Sequence, residues 1–180
     1  MFARTLLSLC GISMARFPRR MAGKGLILRC YRLTDLVRLH RLISADVLLQ
    51  ANGMVYEETP TFGAFCFWML TTFPMLYVIQ DTDHGRPRIV GCVGIYDLTI
   101  GHKLGVSLAI FRPEDRRQGY GRQTVSLLLV GLARHRVVSN VYADVLRTNT
   151  PSLQFFMRLG FMADRQGRDY IRLVKHIGQS

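Results

Sequence analysis

A chain of 180 residues, 49% hydrophobic and 20% charged, is long and apolar enough to bury its own core, which excludes an extensively disordered protein and a small scaffold that needs disulfide or metal staples. Its 24 Lys and Arg against 12 Asp and Glu give a net charge of +12, a surface suited to anions. The arginines are spread along the chain without the aromatic-rich basic motifs of nucleic-acid binders, which argues against that class. Cys10, Cys30, Cys66 and Cys92 lie far apart with no histidine cluster, so neither a metal site nor a disulfide framework is expected, and a reducing cytoplasm fits.

In chain order, residues 1–20 carry Arg4, Arg16, Arg19 and Arg20 and no acid. They read as a basic, dispensable extension ahead of a domain spanning 21–180, either an amphipathic presequence or a start placed too early, since Met14 and Met21 follow. Gly25 to Tyr31 is a short apolar strand. Thr34-Asp35 then caps a helix with Leu36, Val37, Leu39, Leu42 and Ile43 at helical spacing. Phe62 to Ile79 is free of charge for eighteen residues. Pro74 divides it, because the residue before a proline is driven out of the helical region, so a helix and a buried strand from Met75 to Gln80 are expected in place of a membrane span. A turn cluster at 81–87 leads to strands at Arg88 to Leu98 and Val106 to Phe111, an antiparallel meander. A helix from Tyr120 to His135, a strand Val138 to Leu146, a helix Pro151 to Leu159 and short strands near 161–163 and 170–174 complete the chain.

The segment with chemical content is Ile110-Phe111-Arg112-Pro113-Glu114-Asp115-Arg116-Arg117-Gln118-Gly119-Tyr120-Gly121-Arg122. A strand runs into a glycine-containing loop and then a helix, whose first N–H groups lack intrahelical partners and whose dipole favours an anion. Gly119 and Gly121 let the backbone approach a phosphate, and Arg116, Arg117 and Arg122 are placed to surround it with charge-assisted hydrogen bonds. A pyrophosphate is the natural ligand. No lysine follows Gly121 as a nucleoside-triphosphate loop would need, and Thr124 stands where a dinucleotide fingerprint has its third glycine.

This loop resembles the signature of the GNAT superfamily of acyl-CoA N-acyltransferases, [RQ]-x-x-G-x-[GA], matched by Arg116-Arg117-Gln118-Gly119-Tyr120-Gly121 at every fixed position. A second likeness runs from Asn149 through Phe156 to Arg158-Leu159-Gly160-Phe161, and the resemblance covers about Gly25 to Lys175 with a flavour of the ribosomal-protein N-terminal acetyltransferases. It implies a single α/β domain with a mixed, mostly antiparallel sheet flanked by helices and splayed between its fourth and fifth strands. It also implies acetyl-CoA as cosubstrate and an amine acceptor, a small molecule or a protein N-terminus, for a monomer or homodimer. Ile110 and Phe111 would offer backbone groups to the pantetheine arm, Gln118 to Gly121 with the neighbouring arginines and Tyr120 would cradle the pyrophosphate, and Asn149 would hold the arm from the other strand. The family's tyrosine acid is replaced at Phe156, and its strand glutamate by Gly105, Val106 and Ser107. Asp144 is then the candidate proton acceptor, with an arginine partner as its structural alternative. Tyr142 and Tyr170 are candidate replacements for the acid, and Glu57 and Glu58 for contacts with a cationic amine. The missing acid keeps a second reading open, a non-catalytic acyl-CoA-binding or partner-binding module.

Overall fold

A computed structural model describes residues 16–43, 59–83 and 85–178. Glu57, Glu58, His84 and the first fifteen residues lie outside the described residues. The chain forms β1 (Arg20–Gly23), β2 (Leu26–Cys30), α1 (Leu33–Leu42), α2 (Phe62–Thr72), β3 (Met75–Asp81), β4 (Arg88–Thr99) and β5 (Lys103–Ile110). A 3-10 turn at Pro113–Asp115 follows, then α3 (Tyr120–Arg134), β6 (Asn140–Leu146), α4 (Thr150–Arg158), β7 (Met162–Gln166) and β8 (Tyr170–His176).

The strands form one open sheet in the order β1-β2-β3-β4-β5-β6-β8-β7. Every neighbouring pair is antiparallel except β5 and β6, which run parallel with α3 as their crossover. This is the mixed, mostly antiparallel α/β domain the sequence led us to expect. The parallel pair is registered only at Lys103↔Asn140, Leu104↔Val141 and Gly105↔Tyr142. Beyond Gly105 the two strands part, and the wedge between them is the splay expected between Val106 to Phe111 and Val138 to Leu146.

Period-two alternation gives the sheet two apolar faces. Val93, Ile95, Leu104, Val106, Val141 and Ala143 pack with Val125 and Leu128 of α3 and Phe156 of α4. On the other face Leu76, Val78 and Cys92 pack with Leu36 and Leu39 of α1 and Phe65 and Met69 of α2. The uncharged stretch divides at Phe73-Pro74 as expected: Thr61 caps α2 through Ala64 N, and β3 begins at Met75. No helix among the described residues is long and apolar enough to cross a membrane.

Two expectations are corrected. The cap of α1 is Arg32; Asp35 acts from the third helical position, accepting from Arg32 N at 2.7 Å and from both terminal nitrogens of Arg29. Asp35 is buried, which alone would raise its pKa, but the hydrogen bonds from Arg29 and Arg32 hold it below the ordinary carboxylate range.

The boundary at residue 20 also cuts through packed structure. Phe17 is 2% exposed within the main core, Pro18 O accepts from the buried Tyr77 hydroxyl at 2.9 Å, and Arg19 O accepts from Cys30 N at 3.0 Å. β1 itself starts at Arg20 and places Met21 against Gly131 of α3. Removal of residues 1–20 would therefore open the core at one edge of the sheet. Phe17→Ala is expected to lower stability by about 3 kcal/mol, read as a reduced denaturation midpoint, whereas deletion of residues 1–15 leaves every one of these contacts in place.

Candidate active site

The turn after β5 is built for an anion. Arg117 and Gly119 have positive φ, +63° and +87°. Two such residues flanking Gln118 turn backbone N–H groups outward into a concavity at the start of α3. A Cβ built on Gly119 would meet only Gln123 Nε2 at 4.0 Å, so the space over the loop is open. Arg117, Gln118, Gly119 and Arg122 are exposed around it. This open cradle, with its donors and basic side chains, fits a pyrophosphate. Gly121 does a different job: a Cβ there would lie 3.4 Å from Leu108 and Phe155, so its missing side chain lets α3 pack close to β5 and α4.

Two of the expected phosphate ligands point elsewhere. Arg116 folds back on the strand it follows, donating to Ile110 O at 3.3 Å and Phe111 O at 3.4 Å. The Tyr120 side chain leaves the loop and donates to Asp81 Oδ2 at 2.9 Å. It joins a cluster that the sequence reading missed. Arg88 forms a two-pronged pair with Asp115 at 2.7 and 2.9 Å and donates to Asp81 at 3.1 Å, with both carboxylates almost wholly buried. Asp115 raises the Arg88 pKa further, so the guanidinium is permanently charged. The cluster ties the turn before the cradle to the β3–β4 hairpin. Arg88→Met would leave two buried carboxylates without their cation. We expect a loss of about 3 kcal/mol, the low end for broken buried pairs because Arg88 is itself a third exposed. Chemical denaturation measures it.

The pairing register decides which backbone groups of β5 face the wedge. Phe111 N donates to Val90 O, so in the antiparallel ladder the odd-numbered residues of β5 bond to β4. The groups of Val106, Leu108 and Ile110 then turn toward β6. Of the pair expected to meet a pantetheine arm, Ile110 faces the wedge and Phe111 is tied to β4.

A narrow cavity runs along the wedge, lined by Val106, Ser107, Leu108, Ala143, Asp144, Asn149, Ser152 and Phe156 among others. Asn149 caps α4, its Oδ1 accepting from Ser152 N at 3.2 Å. Phe156 is 6% exposed and packs edge-on against Phe155 and Phe161. A wider cleft of ≈ 510 Å³ opens on the α1–α2 face, lined by Thr72, Phe73, Tyr96, Val106, Ser107, Asp144, Arg165, Gly167, Tyr170 and Arg172. The two cavities share Val106, Ser107 and Asp144.

At this junction Asp144 accepts from Arg172 Nε and Nη2, both at 2.7 Å. The guanidinium also stacks 4.0 Å above the Tyr142 ring. The arginine partner weighed as a structural alternative is therefore present. The pair is 29% exposed on each side, so Asp144 reaches the cleft, and a carboxylate has lone pairs beyond the two used by a guanidinium. Tyr142 donates its proton to Asp97, which occupies it away from the cleft. Tyr170 lines the cleft at the start of β8. Of the aromatic residues on and after α2, Phe65 is core, Phe73 is cleft wall, and Phe67 is 72% exposed.

Residues 39–161 match the model of the Acetyltransferase (GNAT) family. The chain belongs to this family. Acetyl-CoA is the family's cosubstrate, and the loop and wedge described above lie within the matched span. Among solved GNAT-fold structures, a domain from Methanocaldococcus jannaschii superposes with a TM-score of 0.74 at 21% identity, covering 84% of this chain and 97% of that one. Spermidine N-acetyltransferase from Vibrio cholerae, in complex with CoA and spermine, gives 0.68 at 18% identity over 86% and 96%. An aminoglycoside acetyltransferase in complex with coenzyme A gives 0.68 at 16% identity over 84% and 94%. At these identities the likeness carries the GNAT fold.

Proposed function

We propose that this GNAT protein is an N-acetyltransferase that moves the acetyl group of acetyl-CoA to a primary amine by direct attack of the neutral amine on the thioester. The observation that carries this reading is the meeting of two cavities at Val106, Ser107 and Asp144. One lies in the wedge between β5 and β6 and the other opens to solvent on the α1–α2 face, an arrangement suited to two substrates approaching one point from two sides. In this reading Arg117, Gln118, Gly119 and Arg122 hold the pyrophosphate. Arg116 and Tyr120 shape the loop without facing the phosphates. Ile110 bonds the arm from β5, Asn149 supports the facing wall, and Phe156 provides an apolar side to the channel.

Asp144 is the proposed proton acceptor for the ammonium that forms on attack, taking the proton directly or through a water on its lone pairs away from Arg172. Alignment of two substrates at one junction supplies much of the remaining rate. Cys30, Cys66 and Cys92 are free thiols, in keeping with a cytoplasmic setting.

For the acceptor, the described cleft offers one carboxylate, already neutralised by Arg172, and the exposed Arg165. That lining suits an amine on a neutral or anionic body, such as a peptide N-terminus, better than a polycation. The test is thiol release from acetyl-CoA with spermidine, an aminoglycoside and short peptides with free N-termini as acceptors. Turnover with a peptide supports the reading in full. Tight acetyl-CoA binding with no thiol release from any acceptor would favour the non-catalytic acyl-CoA-binding module.

A further inference from the structure

Family members often carry a glutamate near the start of the strand before the phosphate loop, and in this chain Gly105 stands in that region. The space is filled from the neighbouring strand. Tyr96 pairs with Gly105 in the β4–β5 register, and a Cβ on Gly105 would fall 2.4 Å from the Tyr96 ring. The ring therefore lies flat on the glycine, held edge-on against Tyr142 at 5.6 Å. Its hydroxyl is carried across β5 to the point where β5 and β6 separate, and there it accepts from Asp144 N at 3.3 Å.

That hydroxyl borders the junction of the two cavities, since Tyr96 lines the cleft together with Val106, Ser107 and Asp144. Among the described residues no acceptor takes its proton, whereas that of Tyr142 goes to Asp97. Burial, with the neighbouring Asp144 carboxylate adding to it, raises the Tyr96 pKa, so the phenol remains a donor across the working pH range. An arm that leaves the cradle and follows β5 from Ile110 to Val106 covers about 13 Å of strand and ends beside this hydroxyl.

We propose that Tyr96 is a catalytic residue whose hydroxyl donates a hydrogen bond to the thioester sulfur as negative charge develops on it, in place of the donor that Phe156 lacks. The proposal rests on the acetyl-transfer reading above. In the step, the amine nitrogen bonds to the acetyl carbon, the C–S bond breaks and its electron pair goes to sulfur. The ammonium proton passes to Asp144 or water, and the thiolate leaves to take a proton from solvent. Tyr96 keeps its own proton throughout. Its contribution is electrostatic, a donor already aimed at the charge and needing no reorganisation.

The test compares the parent with Tyr96→Phe, which retains the ring on Gly105. Two quantities are read: turnover of acetyl-CoA with the best acceptor from the panel, and the titration of the CoA thiol bound to the protein, followed by thiolate ultraviolet absorbance. Asp144, Arg172, Asp97 and Tyr142 surround the site in both proteins, so the difference isolates the hydroxyl. The expected result is a kcat lower by about 10²–10³-fold with CoA affinity unchanged. The bound thiol of the variant should titrate about one unit or more higher than that of the parent, because the hydrogen bond favours the charged sulfur. An unshifted thiol pKa, or equal kcat in the two proteins, overturns the role of Tyr96 and leaves acetyl transfer standing. A parent that binds CoA but acetylates nothing overturns the acetyl-transfer reading, and the thiol titration still decides whether Tyr96 faces the sulfur. A parent that does not bind CoA overturns both.

Discussion

Gly119→Val is expected to weaken acetyl-CoA binding by about 10²–10⁴-fold, the loss of roughly two charge-assisted hydrogen bonds from backbone to phosphate. Gly119 sits at φ +87° as the residue preceding α3, a conformation that a β-branched residue resists. The valine would either keep the left-handed turn and project its methyl groups into the cradle, or abandon the turn and swing the N–H groups away. Each outcome removes the phosphate site. The damage stays local, because a Cβ at this position has only Gln123 Nε2 within 4.0 Å, and the core lies elsewhere. Calorimetry on a variant with a near-parental melting temperature reads the effect, and full affinity there would remove the loop from the cofactor site.

Asp144→Asn should lower kcat by about 10²–10⁴-fold at neutral pH, with acetyl-CoA affinity nearly unchanged. The structure makes the experiment clean. Both members of the Asp144–Arg172 pair are 29% exposed, so the broken ion pair costs only about 1 kcal/mol of stability, and the asparagine oxygen still accepts from Arg172. A large fall in turnover then has no structural explanation. The deficit should shrink as pH rises, because the amine arrives already deprotonated and the proton acceptor has less to do. A pH–rate profile parallel to the parent's, or a melting-temperature drop large enough to explain the lost activity, would assign Asp144 to structure alone.

The elements were legible wherever one residue type dictated local geometry. Pro74 divided the apolar stretch, the glycine turn at 117–121 announced the anion cradle, and runs of apolar, β-forming residues between turn signals marked β3 to β6. The wedge was expected from the family resemblance, not from the residues that line it. What escaped was written in pairs of distant residues. β1 is four residues long with one buried side chain, and Phe17 offers no periodicity to read, so the segment that closes the sheet edge looked like a tail. Arg88, Asp81 and Asp115 are ordinary charges until the hairpin brings them together. Tyr96 was hidden because the sequence shows only an absence at Gly105. A signal did exist: in a hairpin, a glycine opposite a large aromatic residue at paired register marks a ring lying across the neighbouring strand. Gly94, whose Cβ would fall 2.4 Å from the Phe73 ring, likewise leaves room for an aromatic ring, here one from the end of α2 and not from a register partner.

The three-position register between β5 and β6 divides the sheet into a block of five strands and a block of three, each continuously hydrogen-bonded within itself. A seam that short can part without melting either block, so amide hydrogens along it should exchange through a sub-global opening of lower free energy than complete unfolding. A ligand wedged between β5 and β6 then behaves as a temporary interior strand, adding to the three registered backbone positions through which the two blocks pair. At about one hundred times its Kd it would raise the opening free energy by roughly 2.7 kcal/mol, and the added protection should concentrate on β6 and α4, leaving β2 and β3 almost unchanged. The protein would thus be assembled as two cooperative units that its own cosubstrate locks into one.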